Sequence, residues 1–216
     1  MSATSLERDV VRILFILHEC GAAPLQAIMF EQYDYARCIA SEGDLHKLDF
    51  WLRYPDHLAA ALLRECEPGQ LLTHRAGEVK DVVRRIFADD EPLLRWTPML
   101  RYRYGAYETL DQVMGYLSSR LLAYRRITHK GSTIQYFLTE KGLQAVEEML
   151  RQCPEAHWYA QRCRLIKSFF GELSGTGKRK IQYLEPAYAS TPWLHPIARI
   201  DAEVRERFQS IFGEPL

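Results

Sequence analysis

Tyr124-Arg125-Arg126-Ile127-Thr128-His129-Lys130-Gly131-Ser132-Thr133-Ile134-Gln135-Tyr136-Phe137-Leu138-Thr139-Glu140-Lys141-Gly142 is the stretch on which the fold turns. Residues 124–128 read as a strand, and 133–138 as its return, because Thr, Ile, Tyr and Phe suit a pleated, half-buried surface. The segment between them reads as a turn in which Gly131 takes a positive φ without a steric penalty. Thr139 then supplies the side-chain oxygen that starts a helix, and Leu143, Val146, Met149 and Leu150 follow at helical spacing until Pro154 ends it.

Outward from this hairpin, the periodicity predicts further helices on both sides. Upstream, residues 109–123 carry Leu110, Val113, Met114, Leu117, Leu121 and Leu122 on one helical face. At the start of the chain, Thr4 and Glu7 stand in capping-box relation, and Leu6, Val10, Ile13, Leu14 and Leu17 run on to a stop at Gly21. A second helix is expected from Pro24, carrying Leu25, Ile28, Met29, Gln32 and Tyr35. The apolar turn Leu45 to Leu52 leads into Tyr54-Pro55, where Asp56 is expected to cap a third helix with Leu58, Leu62 and Leu63. Residues 78–87 make a fourth, whereas 93–104 fit strand, extended segment or short helix alike. Downstream come a helix over 156–170, a turn at Gly171, Gly175 and Gly177, and a short strand over 178–184. The proline-containing loop 185–196 has Trp193 either packed down or touching a partner. A last helix is expected from Pro196, with Ile197, Ile200, Val204, Phe208 and Ile211 in period.

The composition excludes several classes. At 216 residues, with 47% hydrophobic and 26% charged, the chain has apolar material for a sizeable core and is not disordered, collagen-like or a disulfide scaffold. Lys+Arg and Asp+Glu are 28 each, so a globally basic nucleic-acid binder is excluded. The balance conceals asymmetry. Residues 1–70 hold six basic against eleven acidic side chains, 101–130 six against two, and 160–180 six against one. Such blocks suit polyanion contact or charge-matched protein contact. Cys20, Cys38, Cys66, Cys153 and Cys163 are odd in number and form no CxxC, the pattern of reduced thiols in a cytoplasmic protein. No secretion signal or membrane span is read, since the run Val10 to Leu17 is short and broken by Arg12.

Helix, strand, turn, strand, capped helix is the order of the second half of a winged helix, and the chain resembles that superfamily. The resemblance rests on Tyr116-Leu117, Leu121-Leu122, the hairpin 124–138 and the ending Tyr136-Phe137-Leu138-Thr139-Glu140-Lys141-Gly142. It implies a mostly α (α+β) protein with a central winged-helix domain over 76–151, its β-hairpin wing included. Additional helices then flank it: an N-terminal helical region over 1–75 and a C-terminal one over 152–216. It also implies duplex DNA as a partner, met by helix 109–123 and the wing tip His129 to Ser132. Arg120, Arg125, Arg126, His129 and Lys130 would then face phosphates. At the helix front only Gln112 suits base reading, and Asp111 repels phosphate, a departure from what a sequence-specific reader wants.

The run Arg101-Tyr102-Arg103-Tyr104-Gly105-Ala106-Tyr107 interleaves cations with aromatics. It fits an extended segment with Tyr buried and Arg exposed, a protein interface, or a single-strand stacking surface. Three pieces together carry a second resemblance. They are Lys47-Leu48-Asp49-Phe50-Trp51-Leu52-Arg53-Tyr54-Pro55, Tyr102-Arg103-Tyr104-Gly105, and Phe169-Phe170-Gly171-Glu172-Leu173-Ser174-Gly175-Thr176. The combination looks like the middle component of bacterial Lamassu-type defence systems built on an SMC-like ABC ATPase. It implies a non-catalytic accessory subunit of an antiviral assembly, bound to a larger ATPase. The alternative is a dimeric transcriptional regulator, a homodimer through the amphipathic last helix.

Catalytic constellations are thin. A phosphate loop over 171–178 fails on spacing and puts Arg179 where Ser or Thr is needed, so Lys178, Arg179 and Lys180 remain as a solvated turn or a polyanion contact. Cys153, His157 and Cys163 lack a fourth ligand, and the other histidines are isolated. The expectation is a protein that is not an enzyme and takes no cofactor or metal.

Overall fold

The computed structural model describes residues 5–23, 35–88, 98–102, 105–127 and 133–216. Among them the chain is mostly helical with small antiparallel sheets, an α+β protein. It groups into two units of two segments each: Met1–Asp49 with Glu108–Gly175, and Phe50–Tyr107 with Thr176–Leu216. This differs from the three consecutive regions 1–75, 76–151 and 152–216. Backbone pairing is the reason, because a strand near the start of the chain hydrogen-bonds to one a hundred residues later.

Unit one begins with α1 (Ser5–Cys20), whose Val10, Ile13, Leu14 and Leu17 are buried as the period predicts. The next described element is β1 (Tyr35–Ile39), so Tyr35 opens a strand rather than closing a helix. The rest of that expected second helix, like Thr4 of the capping box, lies outside the described residues. Helix α2 (Glu42–Arg53) follows, and the divide between the units falls within it. The chain re-enters unit one at Glu108 and forms α5 (Asp111–Ser119), β4 (Ala123–Ile127), β5 (Ile134–Thr139), α6 (Glu140–Gln152) and α7 (Ala156–Phe170). The three strands lie in the order β1-β5-β4, all antiparallel, with an irregularity between Tyr35 and Arg37. Ala123 opposite Leu138 and Ile127 opposite Ile134 set the register of the hairpin; its expected turn lies outside the described residues.

The Thr139-x-x-Gly142 pattern has a full physical account. The Thr139 hydroxyl accepts from Gly142 N at 2.9 Å, capping α6, and donates toward Leu121 O at 2.7 Å. Gly142 is where it is because a Cβ there would meet the Leu122 carbonyl oxygen at 2.1 Å. Helix α5 ends eight residues after it starts, short of the expected 123. Leu121 adopts φ +60°, which breaks the helix and turns the chain into β4.

Unit two holds α3 (Pro55–Glu65), a single 3₁₀ turn (Thr73–Arg75), α4 (Ala76–Ala88), a hairpin of β2 (Leu100–Tyr102) and β3 (Gly105–Tyr107), α8 (Gly175–Tyr183, from its second residue), α9 (Pro186–Ser190) and α10 (Asp201–Phe212). Its core includes Leu58, Leu62, Val79, Val83, Ile200, Val204 and Phe208. Pro55 starts α3, and Asp56, expected as its cap, instead accepts from Ile200 N at 2.9 Å. Two buried tyrosines hold the hairpin backbone: Tyr54 Oη accepts from Met99 N, just before β2, at 2.8 Å, and Tyr188 Oη accepts from Ala106 N of β3 at 2.7 Å. Gly105, at φ +125°, leaves no room for a Cβ beside the same Tyr188 oxygen. Residues 178–184, expected as a strand, belong mostly to α8; the basic run has no alternation to oppose a helix. Pro196 does not start the last helix. It pairs with Leu100 in an antiparallel bridge, extending the β2–β3 sheet by a third, short strand-like segment.

Candidate interaction surfaces

Helix α5 and β4 carry Gln112, Arg125 and Arg126 of the residues expected to meet DNA. Gln112 and Gly115 are exposed on α5, with Ser119 at its end. Asp111, in the first turn, is paired with Arg125 of β4: the guanidinium donates to Asp111 Oδ1 at 2.6 Å. That hydrogen bond, with a second from the Thr109 hydroxyl, holds the Asp111 carboxyl below the usual range. The helix start thus keeps its own negative charge, favourable to the helix dipole and unfavourable to a phosphate. Arg120 follows the helix and lies over the Tyr116 ring at 4.6 Å. Arg126, on the opposite side of β4, is half-buried. His129 and Lys130 of the expected wing tip lie outside the described residues, as does Arg103.

The structure also brings together residues that sequence reasoning passed over. Arg12, which interrupts the apolar run of α1, is only 1% exposed. Its guanidinium donates to Asp49 Oδ1 at 2.5 Å, to Asp9 and to Glu108 Oε2 at 3.2 Å. Burial alone would lower its pKa; three carboxylates outweigh that and raise it well above the ordinary value. The available signal was an Arg within an otherwise apolar stripe and an Asp between Leu48 and Phe50. At the far end of α1, Glu19 receives both arms of Arg164, at 3.0 and 2.8 Å. Burial raises the Glu19 carboxyl, but hydrogen bonds from His18 and Arg164 prevail and hold it below the usual range.

In unit two, Arg101 and Arg179, 78 positions apart in sequence, converge on one ring. Their guanidinium carbons lie 5.6 and 5.1 Å from the centre of Tyr183. Arg101 also donates to Thr191 O at 2.6 Å. Of the three readings of the Arg-Tyr run, the extended segment with Tyr buried and Arg exposed does not hold at its described residues: Arg101 points inward, while Tyr102 and Tyr107 are exposed with rings 5.4 Å apart. The basic triplet does not act as one patch either. On α8, successive residues point about 100° apart, so Lys178 is buried, Arg179 half-buried and Lys180 exposed. Trp193 is not packed down; it is 60% exposed.

All five cysteines are free thiols. Burial, and then the neighbouring Cys20 thiol, push Cys163 well above the ordinary range, while burial raises Cys38 to about 11. Neither is a poised nucleophile. Among the described residues no group of His, Cys, Asp and Glu has a metal-holding arrangement, and no helix is long and apolar enough to cross a membrane. Comparison with protein-family models, with curated proteins and with solved structures gives no match for this chain.

Proposed function

We propose that unit one is a winged helix interrupted between its second and third helices, and that the protein is a non-catalytic accessory subunit whose winged helix docks on protein. The order α1, β1, α2, α5, β4, β5, α6 and the sheet order β1-β5-β4 support the first part. In this reading α5 is the helix that would enter a groove, and β4 and β5 are the strands of the wing.

The observation that carries the second part is the Asp111–Arg125 pair. A duplex-reading winged helix needs unneutralised cations around the front of this helix. Here the front bears a carboxylate, and the arginine beside it is spent on that carboxylate. Tyr116, Arg120 and the exposed Leu121 alongside are residue types suited to a protein contact. The resemblance to Lamassu-type middle components supplies the partner class: a larger SMC-like ABC ATPase of an antiviral assembly.

The test is a pull-down of the tagged chain from its native host under nuclease treatment, alongside titration of the purified protein with duplex DNA. A stoichiometric ATPase that survives nuclease is expected, with DNA binding no tighter than the ~10⁻⁴–10⁻⁶ M of non-specific contact at physiological salt. Nanomolar binding to one DNA sequence, with no protein partner, would overturn the reading in favour of a transcriptional regulator.

A further inference from the structure

The small sheet of unit two has an outer face made of apolar and aromatic side chains. On β2, Leu100 and Tyr102 point one way and Arg101 the other; across the hairpin Tyr107 stands opposite Leu100. Beyond β2 on its other side, Pro196 pairs with Leu100, and Leu194 N donates to Arg101 O at 2.8 Å. Trp193 and Leu194 occupy the turn closed by His195 N to Pro192 O at 3.2 Å. All six side chains are exposed, Leu194 to 62%. A half-solvated antiparallel sheet ordinarily turns polar residues outward. This one turns its arginine inward and its leucines and tyrosines out.

Leu194 adds a second, independent observation. It sits at φ +60°, a backbone conformation that favours glycine or asparagine at this turn position. A leucine held there with most of its surface in solvent gains little from unit two itself. A strained, exposed apolar residue beside an apolar face marks a contact.

Three features of the face identify its occupant. Growth by strand addition is blocked, since Ala106 N is already taken by Tyr188 Oη and the outer segment is flanked by Pro192 and Pro196. The six residues carry no charge, which disfavours a polyanion and removes any like-charge penalty when the face meets its own copy. From their exposures, and ~150–250 Å² for each aromatic side chain, they present on the order of 500 Å². That is a large share of the ~800 Å² that each partner gives to a standard interface.

We infer that this face joins two copies of the chain in a two-fold, face-to-face dimer centred on Tyr102, Trp193 and Leu194. The inference concerns unit two alone and does not depend on what unit one binds.

Sedimentation equilibrium of the full chain from 2 to 200 μM, with Leu194→Gly and Trp193→Ser variants, tests it. The wild type is expected to be dimeric at the upper concentrations, and each substitution to weaken the dimer at least tenfold. Leu194→Gly suits the left-handed turn, so it should melt no lower than wild type, which separates lost contact from lost folding. A wild type that stays monomeric at 200 μM overturns the inference. So does a dimer that both variants form as strongly as wild type.

Discussion

Arg12 sits in the interior of unit one with a carboxylate from α1, one from α2 and one from the segment that precedes α5. Removing it would leave the fully buried Asp49 without the guanidinium that offsets its charge. Arg12→Met should therefore destabilise unit one by about 3–5 kcal/mol, read as a fall in the urea midpoint; replacing Arg12 and Asp49 together by apolar residues should restore much of that loss. Thr139→Ala should cost about 1 kcal/mol through the lost cap of α6. Gly142→Ala should cost more, since the Leu122 carbonyl must move. Of these residues Thr139 was legible in its role, because a cap is a local signal, and Gly142 as the end of the same motif. Arg12 could be seen to break a pattern, but its three partners lie 3, 37 and 96 positions away, and nothing in a linear spacing names them.

At the scale of elements, the strands β4 and β5 and the helices α6 and α7 were readable because each carries its own period and its own stop. Strand β1 was not: five residues of half-buried character offer too little alternation, and its identity comes from pairing with β5. Helix α8 was misread because a basic run with glycines resembles a turn, whereas its Lys178, Ile181 and Gln182 are buried on one helical side. The candidate surface was legible in part. Arg125 and Gln112 were placed on the right elements, but the ion pair with Asp111 required the strand to fold back beside the helix. That pair makes a prediction. Asp111→Asn removes the competing charge and frees Arg125, so non-specific affinity for duplex DNA should rise several-fold and fall away more steeply with salt. Filter binding at 50 and 200 mM salt checks it. Leu121→Gly, at the second left-handed leucine, should raise stability by roughly 1 kcal/mol.

For the molecule as a whole, the grouping into two units implies that the continuous piece 76–151 is not a domain. Expressed alone, it would present β5 without β1 and α6 without α1. It should show no cooperative melt by circular dichroism, whereas the full chain should. In unit one, acid should act through Glu19. The Glu19 carboxyl is held below its ordinary value in the folded chain, so its contribution is complete above the unfolded value of about 4.3 and is lost as pH falls through the folded one. Urea midpoints of wild type and Glu19→Gln should therefore differ at pH 7 and converge as the pH falls through the folded-state value.

The Arg12 cluster also bears on how such a chain can change in length. Asp49 is the last residue of the first segment of unit one and Glu108 is the first residue of the second, and one guanidinium holds both. The ends of the intervening 58 residues are therefore pinned within the reach of a single side chain. Closing a loop between fixed ends depends only weakly on its length, by ~0.6 kcal/mol for each doubling. The length of the intervening segment should therefore weigh little on the stability of unit one, with Arg12 holding the two sides of the junction together.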